Sequence, residues 1–179
     1  MAGKIQVFIA SSLDGFIAGP DNDLSWLPGP PEDGSDNGYG AFMAGIGALL
    51  MGRATYDVVA GFEGPWPYGD TPVLVASNRP LNSSVPTVRH VQGDISSLLA
   101  QARAVAGDRD VYLDGGNLIR QALEIGQVDR LVVTLIPVIL GRGHPLFAGV
   151  EQRRRLTLLE SQRLPGDLVQ LTYVPAPSA

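Results

Sequence analysis

The sequence predicts an α/β fold with a mostly parallel central sheet and an antiparallel hairpin at its C-terminal end. Apolar runs of strand length alternate with segments of helical spacing as far as residue 125, and strands that alternate with helices form parallel sheets. Residues 155–162 and 168–174 alternate apolar with polar side chains around Leu164-Pro165-Gly166-Asp167, which is a hairpin signal. Since no repeat or change of composition divides the chain, we expect residues 1–179 to form a single domain.

The first part of the chain is predicted to alternate strands with helices around two long loops. Residues 19–38 and 61–70 are rich in Gly, Pro and Asp, and long loops inside compact domains are often functional. Phe42 and Ile46 stand four residues apart and are assigned to the first helix. The predicted elements are strands over 5–10 and 16–18, a helix from 36 or 37 to about 45, a strand over 48–51, a helix over 53–60, and strands over 72–76 and 87–91.

The second part is predicted to hold two further helices and a long strand before the hairpin. Asp94 is expected to cap a helix that continues through Ala106, because the apolar residues between them share one face. A strand over 111–113 leads through a glycine pair into a helix over 117–125. A long apolar strand is predicted over 128–139, with a bulge or a sheet edge at Pro137.

Composition favours a folded protein and excludes several kinds of site. The chain is 45% hydrophobic and 17% charged, which is ordinary for a globular domain. It has no cysteine, so disulfides, thiol nucleophiles and thiolate metal sites are excluded. His90 and His144 lack a partner at metal-ligand spacing, so we expect no metal site.

Charge and hydropathy limit the possible partners. The net charge is −5 and no basic stripe is present, so nucleic acid is not an expected partner. Arg153-Arg154-Arg155 is the one dense cationic run and is interpreted as charge that protects an edge strand. We find no apolar stretch of the ~18 residues that span a bilayer, and no signal-peptide core. A cytoplasmic protein without a membrane partner is therefore expected.

Two strand–glycine–helix junctions carry most of the functional information. Gly52-Arg53-Ala54-Thr55-Tyr56 follows the predicted strand 48–51, and Asp114-Gly115-Gly116-Asn117-Leu118 follows the strand 111–113. The start of a helix exposes backbone N–H groups and the positive end of the helix dipole, which together bind phosphate. Two such junctions in one small domain indicate a ligand with more than one phosphate-bearing part, such as a dinucleotide.

The chain resembles the dihydrofolate-reductase-like superfamily, and most closely the reductase domain of bacterial riboflavin-pathway deaminase-reductases and its stand-alone relatives. This resemblance implies the superfamily's three-layer fold and a reductase that uses NADPH. The blocks that carry it, in the family's order, are Ser12–Ala18, Leu50–Tyr56, Val75–Arg79, Asp114–Gly116, and Val128–Leu131 followed by Pro137–Gly143.

The resemblance also implies which residues contact the cofactor. The glycine pair would contact the pyrophosphate, since a residue without Cβ lets the backbone approach a phosphate. Arg53 and Arg79 would pair with a 2′-phosphate, and backbone groups of Ala10 and Ile17 would hold the nicotinamide amide. The full set of predicted cofactor-binding residues is Ala10, Ile17, Gly52, Arg53, Ala54, Thr55, Ser77, Asn78, Arg79, Gly115, Gly116, Asn117 and Leu118.

Each of these residues also has an interpretation that needs no ligand. Arg53 could be a solvated cation at a helix start, and the glycine pair a tight turn without a ligand. Residues 77–79 also fit a plain polar loop. The side chains of Ala10 and Ile17 fit the core equally well.

Three aspartates are predicted as catalytic or substrate-facing residues. Riboflavin-pathway reductases usually have an acid directly before the glycine pair, and Asp114 holds that place at the end of an inner strand. Dihydrofolate reductases have an acid at the start of the first helix, and an ungapped count back from Gly52 reaches Asp36, for which a helix cap is the favoured alternative. Asp14, within Ser12–Gly15, is either a turn former or a site residue.

Three functional hypotheses follow. The first is an NADPH-dependent reductase of the 5-amino-6-(5-phosphoribosylamino)uracil reductase type, which transfers hydride directly to a heterocyclic or ribosyl-pyrimidine substrate and is favoured by Asp114 and Leu140–Gly143. The second is a dihydrofolate reductase, favoured by Asp36 and Trp26. The third is a non-catalytic nucleotide-binding protein of the same fold. A homodimer is also expected, because strand 128–139 and the hairpin offer sheet edges and two-fold dimers are common.

Overall fold

A central eight-stranded sheet organises the computed structural model, which describes residues 3–177. A separate two-stranded sheet and a short 3₁₀ helix (Pro20–Asn22) lie beside it. The strands are β1 (Ile5–Ser12), β2 (Phe16–Ala18), β3 (Ile46–Gly52), β4 (Val73–Ala76), β5 (Val88–Val91), β6 (Asp110–Asp114), β7 (Arg130–Ile136), β8 (His144–Pro145), β9 (Leu156–Leu164) and β10 (Leu168–Pro175). The helices are α1 (Tyr39–Ala44), α2 (Arg53–Ala60), α3 (Ile95–Ala106) and α4 (Gly116–Glu124).

The strand order explains why the predicted motifs meet. The central sheet has the order β5-β4-β3-β6-β1-β7-β10-β9, in which neighbouring strands from β5 to β7 pair in parallel. β10 is antiparallel to both β7 and β9, so the predicted parallel sheet with a C-terminal antiparallel hairpin is confirmed. Because the parallel strands share one direction, their carboxyl ends meet at one edge, where a ligand crevice forms in such sheets.

Two helical layers enclose the sheet and give the predicted three layers. On one face, α3 and α4 pack over fully buried residues such as Leu50, Leu99 and Ile119. On the other face, α1 and α2 cover an aromatic cluster. Side chains alternate along a strand, so β6 sends Val111 and Leu113 toward α3 and α4, and Tyr112 with Asp114 toward the aromatic face.

The largest boundary differences from the prediction concern α1, β3 and β7. The first helix starts later than predicted, at Tyr39, and ends at Ala44, and β3 starts at Ile46 rather than at residue 48. The apolar pair Phe42 and Ile46 fits helical spacing, but Ile46 is completely buried in the sheet. β7 ends at Ile136 rather than at residue 139: Pro137 has no N–H to donate, and the Val138 amide donates to the Ile136 carbonyl (2.8 Å), which turns the chain.

The remaining elements agree with the prediction, including the cap of α3. The Ser97 amide donates to Asp94 Oδ1 (2.8 Å) at the start of that helix. β8 was not predicted, because two residues are too short for a periodic pattern; it pairs with β2 in the small sheet. No helix within residues 3–177 is long and apolar enough to cross a membrane.

Candidate functional site

A cleft of about 980 Å³ runs along the carboxyl edge of the parallel strands. Asp114 lines it, and so does every residue that was predicted to contact a cofactor. Residues that lie far apart in sequence are therefore brought to one cavity. The predicted residues in its walls are Ala10, Ile17, Gly52, Arg53, Ala54, Thr55, Ser77, Asn78, Arg79, Gly115, Gly116, Asn117 and Leu118.

The helices α2 and α4 both start at this cleft without a side-chain cap. Gly52 precedes α2 and Gly115 precedes α4, and neither can supply a capping side chain. The helix α3, in contrast, is capped by its own Asp94. Uncapped amides in the first turn of a helix need a partner, and an anion is well suited to that place. Leu118 belongs to the core, so only its backbone can take part.

Gly115 lies where the two glycine junctions touch each other. Its φ is +91°, and a Cβ built on it would lie 2.5 Å from Thr55 Oγ1 and 3.8 Å from the Gly52 nitrogen. A side chain at this position would be strained and would also collide with the start of α2. The Gly115 amide donates to Asp114 Oδ1 (2.8 Å), so it is already used within the chain.

Arg53 and the turn after β4 form the wall of the cleft beyond α2. Arg53 Nε lies 2.8 Å from Asp57 Oδ1, and its Nη1 donates to the Pro80 carbonyl (3.2 Å). The Arg79 amide donates to Ser77 Oγ (3.1 Å), which fixes the turn. Hydrogen bonds within the chain therefore fix the turn and hold Arg53 beside residues 77–80.

Ala10 and Ile17 lie at the other end of the cleft. Ala10 pairs with Thr134 across β1 and β7. Ile17 packs on the core beneath α4, and a Cβ built on Gly116 would come within 2.9 Å of Ile17 Cδ1. The core interpretation of the Ile17 side chain is therefore correct, and the residue also contributes to the wall of the cleft.

Asp114 has the most perturbed carboxyl group in the cleft. Burial raises its pKa to about 6, and the hydrogen bond from the Gly115 amide opposes that shift. Its side chain shares the aromatic face with Tyr112, whose hydroxyl donates to the Phe8 carbonyl (2.8 Å). A carboxyl group whose pKa is about 6 changes its charge close to neutral pH, which suits a group that exchanges hydrogen bonds or protons with a ligand.

Asp36, which is predicted as a catalytic residue, does not line the cleft. Its side chain is exposed, and its two carboxylate oxygens accept from the amides of Gly38 (3.0 Å) and Gly40 (2.7 Å). These bonds fix the start of α1. The N-cap of α1 is Gly38 rather than Asp36, but the bond from the Gly40 amide satisfies a first-turn donor of the helix, which agrees with the capping function favoured as the alternative.

Asp14 also lies outside the cleft lining, and its carboxylate holds two turns together. It accepts from Ser12 Oγ (2.6 Å) and from the amides of Leu140 (3.1 Å) and Gly141 (2.7 Å). The Ser12 bond is the main reason that the pKa of Asp14 is lowered. These bonds fasten residues 140–141 to the β1–β2 turn and favour the turn-former alternative for Asp14.

The tyrosines around Asp114 were missed by the sequence analysis. Burial is the main cause that raises the pKa of Tyr39, to about 12, and of Tyr68 and Tyr112, and the charge of Asp114 raises all three further. Tyr112 could have been found from the sequence, because it stands two residues before Asp114 on one strand and therefore on the same face. Tyr39 and Tyr68 come from a helix start and a loop, where no local pattern points toward β6.

Known proteins resemble this chain along nearly its whole length. The family model described as the RibD C-terminal domain matches residues 3–170. The uncharacterized protein YwjB of Bacillus subtilis strain 168 is 31% identical over 176 residues, which are 98% of this chain and 100% of that protein. A crystal structure described as a putative riboflavin biosynthesis protein from Shewanella sp. PV-4 is 34% identical with a TM-score of 0.86, and the match covers 97% of this chain and 99% of that chain.

Two more distant structures show the same fold. The diaminohydroxyphosphoribosylaminopyrimidine deaminase/5-amino-6-(5-phosphoribosylamino)uracil reductase of Thermotoga maritima is 16% identical with a TM-score of 0.70, over 98% of this chain and 57% of that chain. The dihydrofolate reductase of Enterococcus faecalis, complexed with NADP(H), is 16% identical with a TM-score of 0.67, over 99% of each chain. The predicted dihydrofolate-reductase-like fold is confirmed.

Proposed function

The chain belongs to the RibD C-terminal domain family, and we propose that it is an NADPH-dependent reductase of the riboflavin-pathway type that acts on a heterocyclic or ribosyl-pyrimidine substrate. One observation carries the proposal: two uncapped helix starts and the partly buried Asp114 share a single cleft. The helix starts suit the phosphates of a dinucleotide. The carboxyl group suits a substrate placed beside it.

The residues of the cleft fit NADPH. A Cβ built on Gly52 would meet no atom of the described residues within 4 Å, and its φ of −78° suits any residue. The chain itself does not require glycine there, so the open space is available to a ligand. The first-turn amides of α4 would hold the pyrophosphate, Arg53 and Arg79 the 2′-phosphate, and backbone groups of Ala10 and Ile17 the nicotinamide amide.

Bound NADPH would supply the hydride, and the chain would position the substrate. Asp114 Oδ1 is fixed by the Gly115 amide, so Oδ2 is the oxygen that would accept from a ring amine or a ribose hydroxyl. The chain has no cysteine, and we propose direct transfer without a covalent intermediate. Catalysis would then rest on proximity and orientation.

The two alternative functions are less well supported by the cleft. A dihydrofolate reductase would use Asp36 to bind the pterin, but both oxygens of that exposed carboxylate cap the start of α1. A non-catalytic nucleotide-binding protein would have no need for Asp114, whose burial disfavours its charged form. A polar group kept at such a cost to stability is typical of a functional site.

Saturation-transfer NMR against NADPH, dihydrofolate and pyrimidine ribosides, followed by NADPH oxidation with each substrate, tests the proposal. We expect signals from NADPH and from the pyrimidine riboside, and oxidation only when both are present. Rapid reduction of dihydrofolate would favour the second hypothesis. Binding of NADPH without turnover of any reducible pyrimidine or pteridine would favour the non-catalytic one.

Arg53→Ala is expected to weaken NADPH binding by about 10- to 100-fold, because a charge-assisted contact with phosphate contributes about 1.5–3 kcal/mol. NADH lacks the 2′-phosphate, so its affinity should change little. Calorimetry with both nucleotides measures the difference. Arg163→Ala is the matched control, since it removes an arginine paired with Asp167 in the exposed hairpin. Unchanged NADPH affinity in Arg53→Ala would remove this arginine from the site.

We also propose that the chain forms a homodimer through the outer strand of the hairpin. Strand 128–139 was expected to offer a sheet edge, but β7 is paired with β1 and with β10 and offers none. β9 is the last strand of the sheet, and Leu156, Leu158 and Leu159 are 40%, 49% and 59% exposed. Light scattering should give twice the 18.9 kDa of one chain, and Leu159→Glu should shift the mass toward the monomer. Ile125→Glu, a like change at an exposed residue directly after α4, should leave the dimer intact. A wild-type monomer at high concentration would contradict the proposal.

A further inference from the structure

We infer that a hollow at the edge of the sheet opposite the cleft is a second ligand site, which takes a small anion with an apolar body, such as a medium-chain carboxylate. The hollow has a volume of about 380 Å³ and lies where β7 starts and β10 ends. Its walls are apolar, and three arginines stand at its rim. The inference does not depend on the proposed reductase activity.

The floor of the hollow is a patch of the sheet. Leu131 of β7 pairs with Tyr173 of β10, and Pro175 of β10 pairs with Leu156 of β9. Side chains alternate along a strand, so Tyr173 and Pro175 share one face. Leu131 and Tyr173 pack with the core beneath α4, and Leu123 at the end of that helix forms a side wall. A molecule placed in the hollow therefore meets a mainly apolar surface.

The rim of the hollow carries positive charge. Arg153, Arg154 and Arg155 all line it, and all three are exposed. Within the described part of the chain, its lining includes no Asp or Glu. The arginines precede β9, which starts at Leu156, so their charge borders the hollow as well as the edge strand.

Arg154 is used within the chain and fixes the rim. Its Nε donates to the Leu123 carbonyl (3.0 Å) and its Nη2 donates to the Glu124 carbonyl, both at the end of α4. A cation in this place satisfies last-turn carbonyls of a helix. The amides of Glu151 and Gln152 donate to Glu124 Oε2 (3.0 and 3.3 Å). The segment that carries the arginines is therefore held against α4.

Arg153 and Arg155 are available to an anion. Within residues 3–177, neither side chain forms a salt bridge. The backbone beside them is held in place, since the Ala176 amide donates to the Arg155 carbonyl (2.9 Å). Guanidinium groups on a fixed segment pair well with a carboxylate, and the apolar floor suits the remainder of the same molecule. Inorganic phosphate would leave that floor uncovered, so an amphipathic anion is the better match.

Calorimetry with hexanoate, octanoate and decanoate tests the inference on the full chain in excess NADP⁺, which blocks the proposed cofactor site. We expect the affinity to rise about two- to fourfold with each CH₂ group that is buried. Octanol should bind at least about 10-fold more weakly than octanoate, because it has no charge to pair with the arginines. No binding at millimolar concentration, or equal affinity for octanoate and octanol, would overturn the inference.

A double variant locates the bound anion. Arg153→Gln/Arg155→Gln removes both available cations and keeps Arg154, so octanoate should bind about 10- to 100-fold more weakly. The melting temperature and the affinity for NADPH should not change. Arg153→Lys/Arg155→Lys keeps the charge and should keep most of the affinity. Arg163→Gln is the matched control, since it removes an exposed arginine of the hairpin. Octanoate that binds the double Gln variant as tightly as the wild type lies elsewhere, and the inference is then wrong.

The other possible occupant is a second copy of the chain, because Leu156 belongs both to the hollow and to the proposed dimer surface. Light scattering of Arg153→Gln/Arg155→Gln distinguishes the two. We expect the same mass as for the wild type. A shift toward the monomer would mean that the partner covers the hollow, and the ligand site would have to be abandoned.

Discussion

Asp114→Asn is expected to lower kcat for an aminopyrimidine substrate by about 10²–10³-fold. The dissociation constant for NADPH should stay within about twofold, because an asparagine oxygen can still accept from the Gly115 amide and preserve the turn before α4. Steady-state kinetics with substrate, together with calorimetry of NADPH, measure the two effects separately. The combination would place Asp114 on the substrate side of the cleft.

Asp36→Asn is the matched control for this prediction. It makes the same chemical change at an exposed carboxylate that caps α1, so turnover should stay within about threefold of the wild type, as for most surface substitutions. Dihydrofolate reduction that is abolished by Asp36→Asn and unaffected by Asp114→Asn would reverse the order of the two enzyme hypotheses.

The pH dependence gives a second measurement of the same carboxyl group. If Asp114 acts as a hydrogen-bond acceptor, kcat/KM should fall as the pH decreases below its pKa of about 6, and this limb of the profile should be absent in Asp114→Asn. Stability should change in the opposite sense. Because the pKa in the folded chain lies above the ordinary value of 3.8, the free energy of unfolding decreases as the pH rises through about 6.

The stability effect can be measured without a substrate. At pH 8 the wild type holds a partly buried charge that Asp114→Asn lacks, so the variant should be more stable by about 1–3 kcal/mol. Near pH 4 the carboxyl group is protonated in the folded chain, and the difference should become small. Thermal or urea unfolding at the two pH values is sufficient. A variant that is less stable than the wild type at pH 8 would contradict the assignment of burial as the cause of the raised pKa.

Gly115→Ala is expected to weaken NADPH binding by more than about 10-fold and to destabilise the fold by about 2–4 kcal/mol. The new methyl group would be held at φ +91° and only 2.5 Å from Thr55 Oγ1. Relief of that contact requires either rotation of the Thr55 side chain at the start of α2 or separation of α2 from α4. Both changes disturb the proposed phosphate sites. Urea unfolding and nucleotide calorimetry measure the two effects.

Gly107→Ala serves as the control for backbone strain alone. Gly107 also has a positive φ (+67°), but a Cβ there would meet nothing within 4 Å among the described residues, and it does not line the cleft. The Gly107→Ala variant should be less stable than the wild type but should bind NADPH with unchanged affinity. If Gly115→Ala binds NADPH as tightly as Gly107→Ala does, the glycine pair is not part of the cofactor site.

Local signals explain which parts of the site could be predicted from the sequence. The junctions at Gly52 and Gly115 are each encoded by a few consecutive residues. The parallel pairing of β3 with β6 then brings the two junctions together. The cap at Asp94 was predictable for the same reason. In contrast, Tyr68 reaches the surroundings of Asp114 through the packing of Trp66 in a loop, and no periodicity encodes that contact.

Where a residue has two possible local interpretations, the tertiary structure selects one of them. Ile46 fits both a helix and a strand, and full burial between neighbouring strands selects the strand. Asp14 is a plausible site residue until residues 140–141 are placed against it. A sequence motif alone does not show which of its side chains will form hydrogen bonds with a distant part of the same chain.

The central position of β1 has a consequence for the order in which the chain can fold during synthesis. Its two neighbours are β6 and β7, so Ile5 pairs with Val111 and Gln6 with Arg130. The ribosome makes β1 more than a hundred residues before either partner. Ile5 and Val7, which are fully buried in the finished sheet, therefore stay unpaired until β6 has emerged, and β1 gains its second neighbour only when β7 follows. Such long-range pairing slows folding and leaves a newly made apolar strand open to aggregation or to chaperones.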